Sequence, residues 1–350
     1  MRRVGYLGLS LFLILALGAP AFSQQAQART PAEYNAYVAF YNEQNPQKKA
    51  ELGEKFLAEN KDSDFVPQGY QMLIGAYARA QNWAKVMDAA ERTAALPKAE
   101  DKLKAFAYAN AMVAAQQTNN FDKTVEYGDK VLAIEPNDLN AMVVLATTIP
   151  ERLPPNEAAK KAAMEKAAAL ATKALEGVKQ FFTQPKPPNV PEPQWNQQRA
   201  DLEGQLHAAL GFIAFNRQDY ANAAQEFQTA FKSTPKDGVS HYRLGLVFQT
   251  QASAASKALL EAINAENDAK KARRDQPVID ELVAKRQGIE TDAREKRDKA
   301  IDELATSVAI GGVVAQPARD ALERLYKVKN NDSLEGLDQL IAQKKSQVGQ

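Results

Sequence analysis

Three residue pairs in the second half of the chain share one offset: His207 and His241, Leu210 and Leu244, and Gly211 and Gly245 are each 34 residues apart. A common offset over several residue types means a unit used more than once, and it limits the fold more tightly than any other feature of the sequence. Within one unit, His207, Leu210, Gly211 and Ala214 are spaced by three and four, which places them on one face of a helix. Ala223, Phe227 and Ala230 do the same on a second helix, and Pro235 cannot continue it. Each unit is therefore a helical hairpin whose small residues permit close approach while an aromatic fills the crossing. A lone hairpin cannot bury its apolar face, so the copies must stack.

The period and residue types resemble the tetratricopeptide repeat (TPR), whose pattern runs here through His207, Leu210, Gly211, Ala214, Tyr220, Ala223, Phe227, Ala230 and Pro235. Ala214 departs from it, standing where the family carries an aromatic. The resemblance implies an all-α fold, a right-handed superhelix of stacked helical hairpins, or TPR-like α-solenoid. Phe121, Val131 and Pro136 repeat Tyr220, Ala230 and Pro235 at an offset of 99. Gly75, Tyr77, Trp83, Ala90 and Pro97 form a further copy with a slip of about one residue, and residues 30–60 a more diverged first one. Thr30, Pro31 and Glu33 have capping-box spacing and open the first helix.

These readings divide the chain into N-terminal hairpins over 30–182, a proline-rich connector over 183–196, C-terminal hairpins over 197–310 and closing helices over 315–345. Five prolines between Pro185 and Pro193 favour an extended connector, although Pro188 and Pro191 also have the spacing of a proline-motif ligand. A charged helical insertion over about 255–300 interrupts the sixth hairpin and breaks near Pro277. There Glu281–Lys285, Glu290–Arg294 and Glu295–Lys299 have acid-before-base spacing, and Asp332 with Glu335 reads as the cap of the last helix.

Arg2, Arg3, the apolar run Leu7–Leu17 and the small residues Ala21 and Ser23 predict a cleaved signal peptide over 1–23. The protein is then exported, to the periplasm or beyond the cell. With no cysteine it can form neither a disulfide nor a bacterial lipid anchor, and no later stretch is apolar enough for a stable membrane anchor. Removing the leader leaves 42 basic and 43 acidic residues, a balance that gives no sign of nucleic-acid binding.

Catalysis at neutral pH most often recruits histidine or cysteine, and here both histidines are repeat positions some 10 Å apart, on the order of a helix-packing distance. No phosphate loop, nucleophile elbow, metalloprotease pair or calcium loop is present. The reading is no enzyme, no cofactor and no metal. By resemblance to the family, first-helix side chains line a concave groove, and Gln205, Phe212, Phe215, Asn216, Tyr242, Gln249 and Gln116 are the partner-binding candidates. Ala208, Phe212 and Leu246 occupy places where the family's clamp for peptide C-termini needs charge or amide. The expected role is a noncatalytic scaffold in the bacterial cell envelope that binds a protein or peptide segment. The alternatives are an assembly or quality-control factor for outer-membrane or secreted proteins, and a cell-wall hydrolase.

Overall fold

The computed structural model describes residues 27–97 and 99–349. The signal peptide read over 1–23 lies outside them. All regular structure among the described residues is helical, and these residues divide into two compact units, those up to 177 and those from 178 on.

The first unit carries α1 (Pro31–Asn42), α2 (Pro46–Glu59), α3 (Val66–Arg79), α4 (Trp83–Ala94), α5 (Asp101–Gln117), α6 (Phe121–Ile134), α7 (Leu139–Thr148) and most of α8 (Glu157–Phe181). The first helix begins at a capping box: Glu33 N–H donates to Thr30 Oγ1 at 3.1 Å, and the Glu33 carboxylate accepts from the Arg29 N–H at 2.7 Å. Ser63 also donates to that carboxylate, at 2.5 Å, and this bond does most to hold Glu33 below the usual carboxylate range.

Consecutive helices turn by one recurring device. Gln81, Asn119 and Gln218 adopt left-handed φ angles of 54°, 52° and 62°, and the next residues, Asn82, Asn120 and Asp219, cap the following helix through their side chains. A left-handed residue lets the last carbonyls of one helix find donors while the chain reverses. The cap then supplies an acceptor to the first turn of its successor.

Packing inside the hairpins follows two opposite arrangements. In the first unit the large side chain sits on the first helix of a pair and the small one on the second. A Cβ on Gly53 of α2 would stand 2.7 Å from the ring of Phe40 on α1, and the position of Phe227 is held by Ala90 in α4 and Gly128 in α6. Ile74 and Met112, both fully buried, occupy the place of Gly211. Gly75, read from sequence as the close-approach glycine, has nothing within 4 Å of an added Cβ; the packing position is its neighbour Ile74.

The second unit carries α9 (Glu192–Asn216), α10 (Tyr220–Ser233), α11 (Gly238–Lys271), α12 (Gln276–Ile310), α13 (Ala315–Lys329) and α14 (Leu337–Gly349). Here the polarity is reversed: Cβ atoms added to Gly211 on α9 and Gly245 on α11 would meet Phe227 of α10 at 3.0 Å and Leu304 of α12 at 2.7 Å. The large and the small residue have exchanged helices, and cores tolerate such exchanges when total volume is kept.

The proline-rich stretch is shorter than the sequence suggests, because α9 already begins at Glu192. It is also anchored. Val190 is 6% exposed and its N–H bonds Pro187 O at 3.0 Å, while Trp195, 8% exposed, packs on Phe182 and Phe181 with ring centroids 4.4 and 5.4 Å away. The stretch between Pro188 and Pro191 thus belongs to a folded turn.

The charged insertion is not a separate element. Helices α11 and α12 run unbroken through it, and the chain reverses at 272–275 with Pro277 in the first turn of α12. Phe227 and Leu304 are 77 residues apart, as are Glu226 and Glu303, so 43 residues have been added to a 34-residue period. They lengthen both helices into an antiparallel arm. Ala252, Ala255, Ala262 and Ala293 are buried along it, and Glu266, 7% exposed, accepts from Lys270 at 2.5 Å and Arg286 at 2.7 Å. Of the three expected i,i+4 pairs Glu290–Arg294 forms; the arm otherwise uses Lys270–Glu266, Arg286–Glu290 and Lys296–Asp292 among the described residues. Side chains on adjacent turns have more than one partner in reach, so spacing alone does not select between them.

Gly288 lies within α12 with nothing within 4 Å of an added Cβ. Gly288→Ala should therefore stabilise the protein by about 0.5–1 kcal/mol. A rise in the urea midpoint with unchanged slope would show it, and a fall would mean that α12 bends there.

The last helix starts at Leu337, so Asp332 is not its cap. Asp332 has a φ of 66° in the preceding turn, and the Glu335 N–H bonds Ser333 Oγ instead. Gly336, at a φ of 85°, makes the final approach to α14.

Candidate functional site

The two histidines do not converge. His207 on α9 faces Glu226 of α10, Nδ1 to Oε2 2.7 Å, and His241 on α11 faces Glu303 of α12 at 2.6 Å. Each imidazole thus ties the first helix of a hairpin to the second by the same pair of residue types. The carboxylate partners escaped the sequence reading because the 43 inserted residues hide the equivalence of Glu226 and Glu303. Among the described residues, no group of three or more His, Cys, Asp or Glu side chains is placed to hold a metal ion.

The groove candidates of the second unit lie on α9 and α11. Gln205, Phe212 and Asn216 are seven and four residues apart, Tyr242 and Gln249 seven apart, so each set keeps to one side of its helix; all are half-buried. Their environments differ. Phe212 and Phe215 pack against the cluster of Ala214, Phe227, Leu244 and Val247, and the Phe215 ring lies 5.8 Å from that of Tyr220. The Asn216 amide donates to Phe212 O on its own helix at 2.8 Å. Tyr242 packs into a different cluster, formed by Ile301, Leu304, Ala318 and Leu322.

Gln205 and Gln249 carry half-buried amides. Gln116 belongs to the other unit, where it is exposed near the end of α5.

One participant was missed altogether. The Arg243 guanidinium lies over the Phe212 ring, 3.8 Å from its centroid, joining α11 to α9. It is half-buried, and its charge gives a cation–π contact of about 0.5–2 kcal/mol to a face that looked neutral from sequence. The search for apolar repeat positions passes over it because it stands one residue before Leu244.

Two other polar clusters border clefts. In the first unit a shallow cleft is bordered by Gln47, Glu51, Glu54, Tyr77 and Asn82. Arg92 grips Glu54 through both guanidinium nitrogens at 2.8 and 2.9 Å, and Tyr77 donates to the same carboxylate at 2.8 Å. The Arg92 bonds are the main reason that Glu54 is held below the usual carboxylate range; burial first, then the Glu54 bond, pushes the Tyr77 phenol up. In the second unit, Glu295, Asp298, Lys299, Asp302 and Glu303 border a cleft beside Phe248. Lys329 Nζ stands 3.1 Å from Asp298 Oδ1 without hydrogen-bond alignment, Lys344 stands 2.5 Å from Asp302, and His241 faces Glu303. Both clusters are ion-paired within the fold.

No family model matches the chain, and no curated protein matches it. Among solved structures it is similar to a tetratricopeptide repeat protein from Parabacteroides merdae, at 9% identity and a TM-score of 0.43, over 85% of this chain and 100% of that one. It is also similar to the Cut9–Hcn1 hetero-tetramer of the APC/C, at 16% identity and a TM-score of 0.24, over 84% of this chain and about half, 54%, of that one.

Proposed function

We propose that the protein is a noncatalytic binding module for a protein or peptide segment, exported to the cell envelope, with the α9–α11 face as its docking surface. The observation that carries this reading is the composition of these two helices: half-buried Gln205 shares a side of α9 with Phe212, the Arg243 guanidinium of α11 lies over the Phe212 ring, and half-buried Gln249 stands farther along α11. Aromatic and arginine anchors with amide donors beside them suit recognition of a helix or extended peptide. The export half of the proposal rests on the leader-like order of Arg2, Arg3 and the apolar run Leu7–Leu17.

The test is quantitative capture of envelope proteins on wild type and on Gln205→Ala/Gln249→Ala, with circular dichroism to check the fold. Loss of one amide hydrogen bond is worth about 0.5–1.5 kcal/mol, so the double variant should bind its partner roughly 5- to 100-fold more weakly. Equal capture by a folded double variant would reject the surface. The intact mass of the protein recovered from its host reports independently on removal of the leader.

A further inference from the structure

The far end of the arm departs from the device that makes the other turns. After left-handed Gln81, Asn119 and Gln218 comes at once an Asn or Asp whose side chain caps the next helix. In the turn between α11 and α12 the left-handed residue is Arg273, at a φ of 50°, and Arg274 follows it. The cap position passes to Asp275, whose side chain makes no capping bond. Backbone bonds fix the turn, from the Arg273 N–H to Lys270 O and from the Arg274 N–H to Ala269 O, each at 3.1 Å. The side chains of both arginines are thus left over from its folding.

They belong to a basic run. Residues 268–278 hold four bases, Lys270, Lys271, Arg273 and Arg274, against the two acids Asp268 and Asp275, whereas the chain without its leader is balanced at 42 and 43. Lys270 is tied to Glu266, but Lys271, Arg273 and Arg274 form no ion pair among the described residues. Every residue from 270 to 278 is exposed, including the apolar Val278 at 44%. The 43 added residues are shared between two helices, so this tip stands about 30 Å beyond the end of an ordinary hairpin.

We propose that the tip of the arm docks on the surface of an anionic phospholipid bilayer, with Lys271, Arg273 and Arg274 at the headgroups and Val278 against the acyl boundary. Bases and an apolar side chain together are the two signals that hold a protein at a charged membrane interface. A helical turn at the end of an arm is convex, which suits a broad surface and not the enclosure of a peptide segment. This contact is separate from the α9–α11 face and stands or falls without it.

Cosedimentation of the protein recovered from its host with vesicles tests the proposal. Wild type should bind vesicles of phosphatidylglycerol and phosphatidylcholine, should not bind phosphatidylcholine alone, and should be released at about 0.5 M salt. Each base near such a surface strengthens partitioning about fivefold, so Lys271→Gln/Arg273→Gln/Arg274→Gln should weaken it roughly 100-fold. Glutamine is compatible with the turn, since Gln81 and Gln218 already adopt left-handed φ angles. A tryptophan introduced as Val278→Trp should shift its emission to the blue on the anionic vesicles. Equal binding to both vesicle types, equal binding by the triple variant or an unshifted emission would each overturn the proposal. So would capture of an acidic protein through the same three bases without vesicle binding, which would assign the tip to a protein surface.

Discussion

Phe227→Ala lowers the stability of the second unit by about 3–5 kcal/mol, the range for removing a buried aromatic from a core that cannot fully collapse. The ring is 0% exposed and lies against Gly211, Leu244 and Val247. The reversed polarity of the two units supplies a sharper version. Gly211→Met by itself overpacks the crossing, since even a Cβ there stands 3.0 Å from the Phe227 ring, at a cost of about 1–3 kcal/mol. Combined with Phe227→Ala it sets a large residue on the first helix and alanine on the second, as at the equivalent positions Ile74 and Ala90 of α3 and α4. The double variant should then be more stable than the sum of the single effects predicts, by at least about 1 kcal/mol. Chemical denaturation of the four proteins measures the coupling; additive effects would show that the two sites do not share one volume.

Trp195→Ala has an effect of similar size, about 3–5 kcal/mol, with a different address. The indole packs against Phe181 and Phe182 from across the proline-rich turn, and the same turn buries Val190. Removing it frees the chain between Thr183 and Pro191, where the backbone has few regular hydrogen bonds to resist opening. Limited proteolysis should move its first cut to this stretch, and Trp195→Phe should largely restore resistance. A cut pattern unchanged from wild type would mean that proline stiffness, and not the aromatic anchor, holds the turn.

The hairpins were legible because two cues coincide at each of them: apolar spacing of three and four, and a capping residue such as Asn120 or Asp219 where the next helix begins. The fate of each glycine was less legible. Periodicity counts apolar positions and is blind to which helix carries the bulk, so Gly211 and Gly128 look alike until their neighbours, Phe227 and Leu145, are seen. The same blindness put the repeat's packing position at Gly75 when it falls at Ile74.

Of the site candidates, Phe212 and Phe215 come together against one cluster, Tyr242 turns to another and Gln116 lies in the other unit. Helical spacing gives the side of a helix but not the neighbour that meets it. Arg243 was hidden for the converse reason, since a charged residue that stacks on an aromatic has no apolar signature.

The arm closes a last question, how a repeat absorbs 43 extra residues without disturbing the copies around it. Ala255 and Ala262 on one helix, and Ala293 and Ala300 on the other, recur at seven residues, nearly two full turns. Shortening both helices by seven therefore returns the same faces to one another, whereas trimming a single residue would swing everything beyond it by about 100°. The arm behaves as a telescoping strut graduated in double turns, and its reach is free to vary in those steps while the root keeps its register.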